Sequence, residues 1–325
     1  MDKIHLFQKS INQVISELDL KRSPAELYEP IEYTMNQGGK RLRPLLTLLA
    51  CDLFGGDTDK AIYPALSIEV FHNFTLVHDD IMDKAPLRRG LETVYKKWND
   101  NIAILAGDTM FALAYSYALK TDPELVPQVL SVFSKAAIEV CEGQQLDMNY
   151  ETQQLVTIPE YIHMIRLKTA VLLGASLEIG AICARAKADD IRKIYDFGID
   201  LGIAFQIKDD LLDLYGEQEK FGKQTGGDIA ANKKTYLYLK AHELASPMQA
   251  NKLIEWFADT DQGKTTQKVA EVKAIFDALD IKRQVEEVME SYYEQALASL
   301  DGLSVEAEQK ASLLAYAKYL FFRTH

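Results

Sequence analysis

Six aspartates, in two copies of one short pattern, are the residues of this chain best suited to chemistry. Both copies read D-D-x-x-D and both end an apolar run, one at residues 79–83 and the other at residues 209–213. Residues four apart share a helix face, so the first and last aspartate of each copy are predicted to point the same way. Like charges at that spacing destabilise a helix by about 0.2–0.5 kcal/mol per pair, which indicates that a cation binds there. The two pairs are Asp79 with Asp83, and Asp209 with Asp213.

Carboxylate ligands favour hard ions, with Mg²⁺ ahead of Ca²⁺ and Mn²⁺. Magnesium usually takes one or two carboxylates and completes its shell with water and the phosphate oxygens of a substrate. Two acidic helix faces would therefore make a clamp for a diphosphate. The alternative, that these aspartates are solvated charge at helix ends, stays open at this point.

Basic residues that would suit a diphosphate stand close to the first acidic pattern. The segment GGKRLRP at residues 38–44 places Lys40, Arg41 and Arg43 behind two glycines at a predicted helix start, and Arg88-Arg89-Gly90 follows the first acidic copy. Glycine allows close approach of a ligand to the backbone, a helix N-terminus favours anions, and arginine binds phosphate oxygens bidentately. The combination predicts phosphate recognition.

Helices are expected to position these residues. Apolar residues recur at helical spacing along most of the chain, as at Ile11, Val14 and Leu18, and several of the nine prolines stand where such a pattern begins. No Asn-Gly or Asp-Gly pair joins two alternating apolar runs, so no hairpin is predicted. We therefore predict an all-α fold, a single helical bundle of roughly a dozen helices around a central apolar cavity. With no linker visible, one domain is expected over residues 1–325.

Composition and charge exclude several classes of function. The net charge of −12 disfavours binding to nucleic acid or to anionic lipid. Residues 1–20 lack the apolar core of a secretory signal, and the most apolar stretch, residues 170–184, is too short to span a membrane. We expect a cytoplasmic protein with no membrane span. Its cysteines are interpreted as small buried hydrophobic residues in a reducing compartment: Cys51, Cys141 and Cys183.

Taken together, the motifs resemble those of the trans-isoprenyl diphosphate synthases, the polyprenyl synthetase family. The resemblance covers about residues 36–236 and follows the family order: GGKRLRP, DDIMD with LRRG, Gly143-Gln144-x-x-Asp147, Lys168-Thr169, FQIKDDLLD, and Gly222-Lys223 through Gly227-Asp228 to Lys233. It implies a prenyltransferase that joins isopentenyl diphosphate head-to-tail to an allylic diphosphate. It also implies three Mg²⁺ ions and a homodimer.

The resemblance assigns roles to residues at the matching positions. Asp79 and Asp83 resemble the ligands of two Mg²⁺ ions, and Asp209, with Asp213 nearby, resembles the ligand of the third. The oxygens of Thr169 and Gln206 would face the carbocation-like centre. The residues that resemble the allylic diphosphate site are Arg88, Lys168, Lys223 and Lys233. Those that resemble the isopentenyl diphosphate site are Gly39, Lys40, Arg43, His72 and Arg89.

Product length in this family depends on the floor of the pocket, which the fifth and fourth residues before the first acidic motif often form. Here they are Phe74 and Thr75, with Phe71 one turn deeper. At 1.5 Å of rise per residue, Phe74 lies about 7.5 Å from Asp79 along the helix. A bulky residue at this depth resembles the short-chain members of the family. Bacterial farnesyl diphosphate synthases, which make the C15 product, usually carry two extra residues inside the first acidic motif. DDIMD lacks them, and the resemblance therefore favours a C20 product over C15.

Three alternatives stay open. The pairs Glu69-x-x-His72 and Glu160-x-x-His163 have the spacing of di-iron helical bundles, although a di-iron site leaves both acidic motifs unexplained. A class I terpene cyclase would share the all-α fold but would not need GGKRLRP. An inactive regulatory subunit of the same family would be expected to lose aspartates of the first motif, and all are present.

Overall fold

A computed structural model describes residues 2–216, 226–259 and 261–322, except the side chains of Asp2 and Gln262. The described residues form sixteen α-helices and one two-stranded sheet. The elements of the first half are α1 (Asp2–Ser16), α2 (Ala25–Asn36), α3 (Leu42–Leu53), α4 (Thr58–Met82), β1 (Leu87–Arg88), β2 (Leu91–Glu92), α5 (Val94–Lys97), α6 (Asp100–Ala118) and α7 (Val126–Thr152).

A π-helical turn, Arg166–Ala170, lies between the helices Ile158–Ile165 and Val171–Cys183. The remaining helices are α8 (Ile158–Ile165), α9 (Val171–Cys183), α10 (Ala188–Tyr215), α11 (Gly227–Ala230), α12 (Tyr236–Leu244), α13 (Pro247–Ala258), α14 (Thr265–Ala278), α15 (Ile281–Asp301) and α16 (Ala307–Phe322), with a 3₁₀ turn at Gln262–Lys264. The all-α prediction is confirmed. None of the described helices is long and apolar enough to cross a membrane.

Local signals account for where several helices begin. Helix α8 begins one residue before Pro159, and Thr157 and Glu160 close a reciprocal capping box around its first turn. Helix α13 begins at Pro247, where Ser246 and Gln249 form the same box. Proline is compatible with the first helical turn because the backbone N–H that it lacks has no helical partner there.

Contacts divide the described chain into two compact units. The first takes its residues from 1–137, 172–195 and 303–316, and the second from 138–171, 196–302 and 317–325. In the first unit α4 packs mainly against α6 and α3, around buried side chains that include Leu45, Ile68 and Phe71. The second unit buries Phe197, Ile207 and Phe276, among others. That residues 1–325 form one domain stays a prediction.

The small sheet was not predicted from the sequence. Strands β1 and β2 pair antiparallel, Leu87 with Glu92 and Arg88 with Leu91, around a two-residue turn. Both turn residues have positive φ, 54° at Arg89 and 79° at Gly90, as a type I′ turn requires. Arginine is an uncommon residue in that left-handed conformation, which is why the usual hairpin signal was missing.

Two of the three cysteines are wholly or partly buried and one is exposed. Cys51 is buried, Cys183 is intermediate, and none of the three forms a disulfide. The interpretation as buried hydrophobic residues is wrong for Cys141, which is exposed on α7.

Candidate active site

The first acidic motif forms the C-terminal end of α4. Asp79 and Asp80 lie in the last turn, and Asp83 caps the helix with its N–H donating to the carbonyl of Asp79 at 2.8 Å. Asp83 is exposed and Asp79 half-buried, whereas Asp80 is only 4% exposed. The outer two aspartates therefore differ from the middle one in their access to solvent.

Arg88 of β1 holds the middle aspartate. Its Nε donates to both carboxylate oxygens of Asp80, at 2.9 and 3.0 Å, and its Nη2 lies 2.8 Å from Oδ1. Burial raises the pKa of Asp80, and the Arg88 guanidinium opposes that shift. The resemblance implies that Arg88 contacts the allylic diphosphate, which stays a prediction; in the structure its ion pair with Asp80 ties the hairpin to α4.

The hairpin turn meets the glycines that precede Lys40. Arg89 donates from Nη1 to the carbonyl of Gly38, and its guanidinium lies against Gly39. A Cβ on Gly39 would stand 2.9 Å from Cζ of Arg89, and φ there is +131°. A side chain at position 39 would force the Arg89 guanidinium to move, and the positive φ by itself favours glycine there.

His72, on α4, lies within a group of positive charges. The pKa of His72 lies well below its ordinary value. The main cause is burial, and the positive charges of nearby arginines add to it, in the order Arg43, Arg89, Arg88 and Arg41. A neutral imidazole here can donate one hydrogen bond and accept another. Arg43 is half-buried and Lys40 exposed. In the first unit, the arginines of both basic segments therefore lie close enough to His72 for their charges to act on it.

Arg41 has a structural role that the sequence analysis missed. It is 7% exposed, its φ of 45° is left-handed, and its Nη1 makes a 2.6 Å ion pair with Oε1 of Glu69. Its Nη2 donates to the carbonyl of Met35, and Asn73 donates to the same Glu69 oxygen at 3.0 Å. This arrangement weakens the di-iron alternative, because the Glu69 carboxylate already has an arginine and an amide as partners.

An aromatic cluster surrounds the predicted pocket floor. The ring of Phe74 lies 5.2 Å from that of Phe111 and 5.5 Å from that of Phe71, and Phe71 lies 5.5 Å from Phe133. Phe71 is fully buried and Phe74 half-buried. The hydroxyl of Thr75 donates to the carbonyl of His72 at 2.8 Å. The contribution of Phe111 on α6 and Phe133 on α7 to this cluster was not predicted, because no short sequence motif links either residue to α4.

In the second acidic motif the middle aspartate is again the buried one. Asp210 is 6% exposed, and it accepts hydrogen bonds from the Tyr161 hydroxyl and, at 3.0 Å, from Nε2 of Gln206. Burial and the nearby charge of Asp228 raise the pKa of Asp210 well above its ordinary value, against the two donated hydrogen bonds. The Thr169 hydroxyl in turn donates to Oε1 of Gln206 at 2.9 Å. The side chains of Thr169 and Gln206 are therefore oriented by one hydrogen-bonded chain.

Asp213 caps the short helix α11. Its Oδ2 accepts the backbone N–H of Asp228 at 3.0 Å, and its carbonyl accepts the N–H of Gly226 at 2.8 Å. Asp209, four residues earlier on α10, is half-buried. Asp213 therefore orders the turn that follows the motif.

The two lysines after this turn, Lys233 and Lys234, both line one cavity. Lys234 also donates to the carbonyls of Tyr150, Glu151 and Gln153, at 2.7, 3.2 and 2.6 Å, and so closes the C-terminal end of α7. Lys223 lies outside the described residues.

The π-helical turn presents Lys168 and Thr169, and two glycines make room for it. A Cβ on Gly143 of α7 would stand 2.3 Å from the backbone nitrogen of Lys168, and one on Gly202 of α10 would stand 2.6 Å from Cα of Ala170. The Lys168 ammonium donates to Asp147, also on α7. Local π-helical turns of this kind are frequent at functional sites.

The second unit contains a cavity of about 120 Å³ in which many of these residues meet. Its lining includes acidic, basic and hydroxyl side chains in nearly equal numbers. The lining residues are Asp147, Tyr150, Glu151, Tyr161, Met164, Ile165, Lys168, Thr169, Gln206, Asp210, Asp228, Lys233, Lys234 and Thr235.

Comparison with known proteins gives consistent matches along the chain. The family model described as polyprenyl synthetase matches residues 24–279. The chain is 38% identical to a geranylgeranyl pyrophosphate synthase of Geoglobus acetivorans, over 98% of the chain and 97% of that relative. It is 37% identical to a geranylgeranyl diphosphate synthase of Sulfolobus acidocaldarius, over 94% of the chain and 93% of that relative.

A solved structure agrees with these sequence matches. A crystal structure of a geranylgeranyl pyrophosphate synthase superimposes with a TM-score of 0.94 at 43% identity and covers 100% of both chains. Sequence and fold therefore point to the same proteins over essentially the whole chain. This protein belongs to the polyprenyl synthetase family.

Proposed function

We propose that this protein is a Mg²⁺-dependent prenyltransferase that condenses isopentenyl diphosphate with an allylic diphosphate into a short-chain product. The observation that carries the proposal is the retention of both acidic motifs and both basic segments in a chain that matches the family over residues 24–279. A regulatory subunit would not need all of these groups.

The isopentenyl diphosphate site is assigned to Gly39, Lys40, Arg43, His72 and Arg89. Support comes from the charges around His72, since the arginines that depress its pKa make this region favourable for an anion. Arg89, held against Gly39 and bonded to the carbonyl of Gly38, would enter binding already ordered. A neutral His72 could donate a hydrogen bond to a diphosphate oxygen.

The metal assignment is to three Mg²⁺ ions, with Asp79 and Asp83 as ligands of two and Asp209 as ligand of the third. Donor chemistry fits, because these are oxygen ligands and magnesium takes one or two carboxylates beside phosphate oxygens. The described residues hold no cluster of three or more His, Cys, Asp or Glu placed to bind a metal by themselves. When bound, magnesium would neutralise the allylic diphosphate and make it a better leaving group. Asp213 would stand near the third ion and order α11.

The chain's own residues would then stabilise the charges that develop. Lys168 and Lys233 would bind the allylic diphosphate, with Arg88 and Lys223 as further contacts. Thr169 and Gln206, fixed by their mutual hydrogen bond, would turn oxygen dipoles toward the positive carbon centre. The proton lost after bond formation would pass to the departing diphosphate.

The aromatic cluster supports a short product. Phe74, in contact with Phe71 and Phe111, would stop the growing chain, with Thr75 beside it at the floor. The Geoglobus and Sulfolobus relatives are named as C20 synthases, which favours geranylgeranyl diphosphate over the C15 product.

A homodimer is proposed as well. Its support is the apolar surface of α6, where Ile104 is 43% exposed and Leu105 is 54% exposed. Sedimentation analysis should give about twice the chain mass of 36.7 kDa. A monomer would contradict this part of the proposal.

The direct test is incubation with labelled isopentenyl diphosphate, Mg²⁺ and each of the C5, C10 and C15 allylic diphosphates, followed by sizing of the products. We expect a linear C20 diphosphate. A cyclic hydrocarbon formed from an allylic diphosphate alone would indicate a terpene cyclase instead. No product from any primer would overturn the proposal.

A further inference from the structure

The turn that carries Lys233 is held by residues outside the motifs of the sequence analysis. Lys268 of α14 is only 4% exposed, and its ammonium donates to Oδ1 of Asn232 and, at 3.3 Å, to the carbonyl of Asp259. Nδ2 of Asn232 donates to the same carbonyl at 3.4 Å. The three residues thus close a triangle of hydrogen bonds, which we name the Lys268 triangle.

The residue types in the Lys268 triangle suit the positions they occupy. Asn232 has a φ of 60°, in the left-handed region that asparagine tolerates better than most residues. Lysine has donors only, so the amide must turn its oxygen toward Lys268 and its nitrogen toward Asp259. A buried ammonium is costly unless its protons are bonded, so removing either partner should disturb the turn.

The Lys268 triangle is linked by backbone bonds to the candidate site. Asn232 directly precedes Lys233, whose N–H donates to the carbonyl of Asp228 at 2.9 Å. The N–H of Asp228 donates to Asp213 of the second acidic motif at 3.0 Å. A displacement of Asn232 would therefore move Lys233 and loosen the cap at Asp213.

Helix α14 also fixes the start of the same turn. Gly226 has a φ of +83°, and a Cβ there would stand 2.6 Å from Cγ1 of Val269, the neighbour of Lys268. One helix therefore contacts residues at both ends of the segment 226–233. That segment includes Asp228 and Lys233, which line the cavity.

We propose that Lys268 and Asn232 are positioning residues that hold Lys233 in the orientation that binds the allylic diphosphate. This inference rests on the proposed function, which supplies the ligand. It assigns a role in the site to α14, which lies beyond the motif-bearing part of the chain.

The test uses Lys268→Met, which removes the donors, and Asn232→Gly, which removes the amide but keeps the left-handed backbone accessible. We expect each to raise the KM for the allylic diphosphate about tenfold while the KM for isopentenyl diphosphate stays unchanged. Lys268→Arg should restore most of the affinity. The matched control is Lys252→Met, which should leave both KM values unchanged, since Lys252 is exposed and its 2.6 Å ion pair with Glu271 of α14 lies outside the triangle.

A double variant tests whether the two residues act together. The double variant, Lys268→Met with Asn232→Gly, should weaken binding of the allylic diphosphate no more than either single change. Each single change already removes the same hydrogen bond between Lys268 and Asn232. If Lys268→Met does not fold, Asn232→Gly alone carries the test. Unchanged KM values, or an equal rise in both KM values, would overturn the proposal.

A binding measurement separates this inference from the proposed function. Calorimetry with inorganic pyrophosphate and Mg²⁺ needs no turnover, and both single variants should bind about tenfold more weakly than the wild-type protein. A wild-type protein that makes no prenyl product would refute the proposed function alone. Equal pyrophosphate affinity in wild type and variants would refute the positioning role alone.

Discussion

Gly143 offers a sharp test of how the π-helical turn positions Lys168 and Thr169. Alanine is favoured over glycine inside a helix by about 1 kcal/mol, so Gly143→Ala would stabilise α7 if nothing else opposed it. The added Cβ would stand 2.3 Å from the Lys168 nitrogen and 2.7 Å from the Leu167 carbonyl carbon, whereas ordinary contact begins at 3.4 Å. Helix α7 and the turn must therefore separate by about 1 Å, at an overpacking cost of about 1–3 kcal/mol.

The expected consequence is mainly catalytic. A displacement of about 1 Å in residues that contact the reacting atoms can lower turnover about 100-fold. We would measure kcat with both substrates saturating, and the melting temperature by circular dichroism, for Gly143→Ala and for Glu142→Ala, a change at the exposed neighbouring residue of the same helix. A Gly143→Ala protein with wild-type kcat and an unchanged or higher melting temperature would refute the role of this close packing.

Three further changes have separate readouts. Asp79→Ala should lower kcat at least about 10³-fold with little change in melting temperature, because a metal ligand rather than core packing is lost, and near-normal turnover would contradict this. Phe74→Ala should lengthen the product on chromatography, and an unchanged length would place the floor elsewhere. His72→Gln should flatten the pH dependence of unfolding. The unfolded chain binds a proton near the ordinary His pKa of 6.5 that folded His72 does not, so wild-type stability falls as pH drops below that value. The slope from this residue is at most about 1.4 kcal/mol per pH unit, and parallel curves for wild type and variant would contradict it.

The helical fold, and the two acidic motifs as the candidate metal ligands, could be predicted from local sequence pattern alone. Spacing of apolar residues needs no tertiary information, and neither do the capping boxes at Thr157 and Ser246. The i, i+4 spacing predicts that the first and last aspartate of each motif share a face, and in the structure these are less buried than Asp80 and Asp210.

The partners of the middle aspartates could not be predicted in the same way. Asp80 binds Arg88 across a hairpin whose turn needs a left-handed arginine, and Asp210 accepts from Tyr161, which lies 49 residues away in sequence. Both contacts depend on how elements pack, which a sequence pattern does not encode. The same holds for Lys268, whose hydrogen-bond acceptor Asn232 is 36 residues away.

The most direct measurement is a crystal structure with Mg²⁺ and a non-hydrolysable allylic diphosphate analogue. We expect metal density within about 2.1 Å of oxygens from Asp79, Asp83 and Asp209, with analogue phosphate oxygens completing each shell. Density for the analogue without metal at these three carboxylates, or carboxylates directed into bulk solvent, would contradict the assignment of these aspartates as the magnesium ligands.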